Sequence, residues 1–237
     1  MLLLLVPSAT MLGADAAPVD DSAVCSPGFY FLSRGDYGQA LRAMNAAGSQ
    51  NASAVSLNMR GIAQMMAGDL TSALSSFAQS RKLEPGYVQA RFNHAVAQLK
   101  MGKFELAATE LEPLAAAGAL SAAAAYHQAL AYDGAGRTDQ ALLSVNRALK
   151  SDPDLVEAIF LLGRIQEKKG DLQAAGRAFK LYLQHEPQST AAILHFGILA
   201  QRSGHMETAR RYLRQVIDLS PSSTDAVTAK KFLAVWD

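Results

Sequence analysis

The sequence predicts an all-α fold, an α-α superhelix built from repeated helix pairs. Three columns of residues predict it. Glycines stand at Gly35, Gly68, Gly102, Gly136, Gly170 and Gly204, spaced 33, 34, 34, 34 and 34 residues apart. Alanines at Ala40, Ala73, Ala107, Ala141, Ala175 and Ala209 keep the same spacing. Prolines at Pro85, Pro153, Pro187 and Pro221 fall 68, 34 and 34 apart, with Ala119 where the missing one would stand. One period shared by three residue types marks a chain of stacked supersecondary units.

The stretch 156–189 shows how each unit is written. Helix A is expected over about 156–169, with Ile159, Leu162 and Ile165 at helical spacing. Gly170 ends it, because glycine enters the left-handed region at no steric cost. Asp171 is the expected N-cap of helix B. Helix B runs to about Glu186, with Leu172, Ala175, Phe179 and Leu183 on one face. Pro187 closes the pair, since it lacks an amide hydrogen and disfavours helix in the residue before it. A further column of small residues, Gly28, Gly61, Ala95, Ala129, Gly163 and Gly197, lies seven residues before the terminating glycines. It is expected to face the alanine column across each pair and let the two helices approach closely.

LNMRGIAQMMAGDLTSALSSF (57–77) and IFLLGRIQEKKGDLQAAGRAF (159–179) resemble the tetratricopeptide repeat, and RFNHAVAQLKMGKFELAATEL (91–111) is a looser match. The resemblance, of a bacterial type, covers 21–237. It implies six repeats at 21–53, 54–87, 88–121, 122–155, 156–189 and 190–223, with 224–237 as a capping helix. The first repeat is one residue short and carries Pro27 inside its helix A. The family's usual Trp is replaced by Leu57, Arg91, Ala125, Ile159 and Ile193. Arg60, His94 and Gln128 stand where the family has Leu, so looser packing is expected in the middle repeats.

The first residues read as a leader, 1–17, ahead of a single repeat domain at 18–237. Met1 to Val6 is an apolar run and Ala14-Asp15-Ala16 has the small-x-small form of a cleavage site, although no Lys or Arg precedes Arg34. The expectation is a mature chain from near Ala17 that is periplasmic or secreted, with a cytoplasmic location as the alternative. No apolar run approaches the roughly 20 residues of a membrane-spanning helix. The lone Cys25 has no partner for an internal disulfide.

Lys+Arg is 22 and Asp+Glu is 21, a net charge of +1, which lacks the basic excess of a nucleic-acid binder. His94, His127, His185, His195 and His205 form no ligand pair at three- or four-residue spacing. HExxH, CxxC and phosphate-cradling glycine motifs are absent. The sequence therefore predicts no enzyme, no metal and no cofactor.

In a stack of helix pairs the A helices line the concave side. Two columns of helix A are expected to face it. One reads Cys25, Asn58, Phe92, Tyr126, Phe160 and Leu194; the other reads Phe29, Ile62, Val96, Leu130, Arg164 and Ile198. Met65 is expected beside them, with Met66 in the core. An aromatic stripe at helical spacing is more often core than site. Against that, the core columns are already filled, so an extra apolar stripe is expected at the surface. Relatives that grip acidic chaperone tails carry Lys and Asn in these columns, whereas only Asn58 and Arg164 are polar here. The resemblance thus implies a protein or peptide partner, and the stripe points to an apolar peptide or an amphipathic helix. Two functions are open: an adaptor, in envelope assembly or secretion, or a module that self-associates through its groove. Exported members of this size include pilus-assembly factors, a match of architecture.

Overall fold

The computed structural model describes residues 27–46, 53–116 and 121–235, which form thirteen α-helices and no strand. The expected leader, its cleavage site and Cys25 lie outside them. The chain divides into two compact units, 1–135 and 136–237, and the boundary falls between helix A and helix B of the repeat framed as 122–155.

The first unit contains α1 (Pro27–Ser33), α2 (Tyr37–Ala46), α3 (Ala54–Met66), α4 (Leu70–Leu83), α5 (Val88–Lys100), α6 (Phe104–Ala116) and α7 (Ser121–Gly134). Consecutive helices pack against each other, and α3 also touches α5, as α5 touches α7. Pro27 is the first described residue of α1. Ser53 caps α3 in a reciprocal box with Ser56, at 3.1 Å and 2.9 Å.

The second unit contains α8 (Thr138–Ser151), α9 (Val156–Lys169), α10 (Leu172–His185), α11 (Thr190–Arg202), α12 (Met206–Leu219) and α13 (Thr224–Ala234). Asp171 caps α10 through the amide of Ala174 at 2.9 Å, as its place in the repeat predicts. The helix α13 closes the last pair by burying Ala226 and Ala229 against Ile193, Leu213 and Val216. No described helix is long and apolar enough to cross a membrane.

The terminating glycines behave as expected. Gly170 has φ +86° and accepts the end of α9 in the left-handed region. The nearest atoms to the glycines in the small-residue column belong to the residue one turn beyond the alanines. A methyl group at Gly61 would meet the Phe77 ring at 2.5 Å, and one at Gly197 would meet Leu213 at 3.0 Å. At Gly28 an added methyl group would meet Met44 at 2.6 Å and the Ala40 carbonyl at 3.5 Å. The contact lies one helical turn further along helix B than the alanine column, because a side chain leans over the turn preceding its own Cα. Where the column carries Ala95 instead of glycine, the corresponding residue is the smaller Leu111. Gly134 makes a similar contact with the Phe104 ring, at 2.6 Å for an added methyl group.

The three polar substitutions in the leucine column are met by polar partners. Arg60 donates to the Met44 carbonyl at 3.1 Å. Gln128 donates to the Ala108 carbonyl at 3.2 Å. His94 Nδ1 lies 2.7 Å from Glu110, which also accepts from Arg81. A buried polar group left unpaired costs more than its bond returns, so these side chains come with their acceptors.

Candidate protein-interaction surface

The structure places the expected groove residues in two classes. In the first unit, Asn58, Ile62, Phe92 and Val96 are buried, while Phe29, Tyr126 and Leu130 are half-buried. In the second unit, Leu194 is buried, Phe160 and Ile198 are half-buried and Arg164 is exposed. The expectation that the whole stripe faces solvent therefore fails at five of these eleven positions.

Contact between neighbouring A helices explains the failure. Phe92 is 0% exposed, and its ring meets His127 of α7 edge-on at 5.1 Å. The stripe beside the intrapair core is thus consumed in sealing α5 to α7. Leu194 joins Ile193 and Leu213 in the cluster closed by α13, with Ile198 packed at its edge. The methionines are reversed as well: Met65 is buried and Met66 is 38% exposed.

Asn58 is drawn inward by partners rather than by apolar surroundings. Asn93 Nδ2 donates to Asn58 Oδ1 at 3.0 Å, and Asn58 Nδ2 reaches the Tyr87 hydroxyl at 3.5 Å. Burial pushes the Tyr87 phenol up to about 12, offset in part by the Asn58 bond. Its folded value lies above the unfolded value near 10. The stability it contributes is fully present below about pH 10 and is lost as pH rises towards 12. In a spectrophotometric titration, one tyrosine should ionise near pH 12 in the folded protein, and that step should be absent from Tyr87→Phe. A parent protein that shows no such separate step contradicts the burial.

The second unit carries a group that sequence reasoning missed. Phe160 on α9 packs against Tyr182 at 5.0 Å and Phe179 at 5.5 Å, both on α10. His195 on α11 stacks on Phe179 at 4.8 Å with an interplanar angle of 11°. His195 Nδ1 lies 2.6 Å from Glu167 Oε2, whose other oxygen is 3.7 Å from Arg202. Half-buried rings thus sit beside an ionic cluster on adjoining A helices. Among the described residues, no three His, Cys, Asp or Glu side chains are grouped to hold a metal. The signal lay in the spacing of Glu167 and His195, 28 residues apart, which becomes meaningful only once α9 and α11 are known to be neighbours.

A family model described as Tetratricopeptide repeat matches residues 58–111, 92–155 and 126–190, together more than half of the chain. Among the curated proteins, none matches the chain. Among solved structures, MamA 41-end from Desulfovibrio magneticus RS-1 is 28% identical, with a TM-score of 0.61 over 68% of this chain and 92% of that one. PilW, a widely conserved type IV pilus biogenesis factor, is 18% identical, with a TM-score of 0.79 over 90% of this chain and 99% of its own. YrrB, a TPR protein with an unusual peptide-binding site, is 20% identical, with a TM-score of 0.64 over 81% and 99%. The likeness to PilW and YrrB is one of fold.

Proposed function

The chain belongs to the tetratricopeptide repeat family, and from that premise we propose that it is a non-enzymatic adaptor which holds an apolar peptide or the apolar face of an amphipathic helix from a partner protein. The observation that carries this reading is Phe160, half-buried beside Tyr182 and Ile198's helix, with exposed Arg164 one turn along α9 and the Glu167, His195 and Arg202 cluster adjoining it. A segment with one apolar and one charged face matches that pairing of chemistries. Aromatic anchors next to arginines are the residue types whose truncation most often weakens a protein interface.

A role in envelope assembly is part of the proposal. The apolar run and small-x-small pattern before residue 18 support export. The fold shared with a type IV pilus biogenesis factor supports assembly work in the envelope rather than catalysis.

The test is a paired measurement on Phe160→Ser/Ile198→Ser. Both side chains are partly exposed, so the melting temperature should fall only modestly while capture of the partner by the full chain is lost. Full capture by the folded variant sinks the site. A parent that forms a tight dimer, dissociated by the same two changes, replaces the adaptor with self-association.

A further inference from the structure

The first unit contains a buried polar junction that the proposed binding role does not use. Asn58 sits near the start of α3 and is 0% exposed, as is Asn93 on α5. Both ends of the Asn58 amide are engaged by α5: its oxygen by Asn93 at 3.0 Å and its nitrogen by Tyr87, the residue that precedes that helix, at 3.5 Å. Asn93 Oδ1 is buried with no hydrogen-bond partner. An apolar pair would avoid that cost, so stability alone does not account for the junction.

We infer that Asn58, Asn93 and Tyr87 form a register lock, which makes α3 stack on α5 and not on another A helix of the same array or of a second copy. A chain of near-identical repeats needs such a device, because every A helix offers a similar apolar face. Mis-stacking and swapping between copies are the characteristic failures of repeat proteins. A shift of one residue along α5 moves its side chains by about 1.5 Å and rotates them by about 100°, which breaks both contacts with Asn58.

The sequence supplies the second half of the argument. At the positions equivalent to Tyr87 and Asn93, α7 carries Ser121 and His127, α9 carries Leu155 and Leu161, and α11 carries Ser189 and His195. Stacking α3 on α9 would seal the Asn58 amide against two leucines with no partner, an arrangement that costs free energy. Tyrosine and asparagine occur together at these two positions only at the junction of α3 with α5. A single buried polar pair that fixes register at some cost in stability is a known device in coiled coils.

The experiment compares the full chain with Asn93→Leu and with Asn58→Leu/Asn93→Leu, by thermal melting and by size-exclusion with light scattering after refolding from urea. The single variant strands Asn58 and should melt below the parent. The double variant should melt at or above the parent, yet refold to a mixture in which a species of different mass or elution accompanies the parent's species. A double variant that refolds wholly to the parent's species overturns the lock. So does one that melts as low as the single variant or fails to fold, since the pair would then be an ordinary stabilising contact.

Discussion

Phe92→Ser should unfold the first unit at markedly lower denaturant, with a loss of about 3–5 kcal/mol, the range found on deleting a buried aromatic ring. The ring is 0% exposed and closes the gap between α5 and α7 by meeting His127 edge-on at 5.1 Å. Serine removes that packing and adds a hydroxyl that must find a partner in an apolar space. Tyr126, in the same sequence column, is only half-buried, so Tyr126→Ser should cost clearly less. Phe160→Ser should likewise leave a cooperative transition close to that of the parent. The measurement is urea unfolding of the three single variants side by side. Equal and small losses for all three would return Phe92 to the surface. Equal and large losses would place the whole stripe in the core and remove the basis for a site at Phe160.

The contrast among these three residues marks where reading the sequence stops. The glycine at φ +86° after α9 and the Asp171 cap act within a few residues, so their pattern is visible in one repeat. The same holds for the bounds of α9, which the 156–189 stretch places at 156–169 and the structure places at Val156–Lys169. Burial of the A-helix stripe is different. It depends on how closely one A helix approaches the next, and for Phe92 the deciding neighbour is 35 residues away. Gly134 against Phe104 and Glu167 against His195 are contacts of the same range. Polarity misleads in a related way. Asn58 reads as a surface residue until Tyr87 and Asn93 are seen to hold it inside. The pattern does distinguish helix from turn and core pair from loop, but it does not say which apolar face a neighbouring repeat will cover.

Gly163→Leu should be among the most damaging single changes in the second unit, and Gly163→Ala separates the reasons. In a helix interior, glycine to alanine is ordinarily worth about 0.5–1 kcal/mol of added stability. Here the added methyl carbon would lie 2.7, 2.8 and 2.9 Å from three atoms of the Phe179 ring. That ring has no free direction of retreat. It is 0% exposed, His195 stacks on it at 4.8 Å and Phe160 meets it at 5.5 Å. Relief must come from parting α9 and α10, and overpacking of this kind costs about 1–3 kcal/mol, occasionally more. The steric effect therefore outweighs the helix preference, and Gly163→Ala should melt below the parent, with Gly163→Leu lower still. The loss should reach the adjoining repeats, because solenoid stability is a sum of repeats and the interfaces between them. The chain itself suggests the rescue: where alanine occupies this column, at Ala95, the opposing residue is Leu111. Gly163→Ala/Phe179→Leu should recover part of the stability lost by Gly163→Ala, a non-additivity expected only of residues in contact. Thermal melts of the four proteins decide the matter. A Gly163→Ala variant at or above the parent's melting temperature, or a double variant whose losses simply add, means that the close approach of the two helices is not set at this pair.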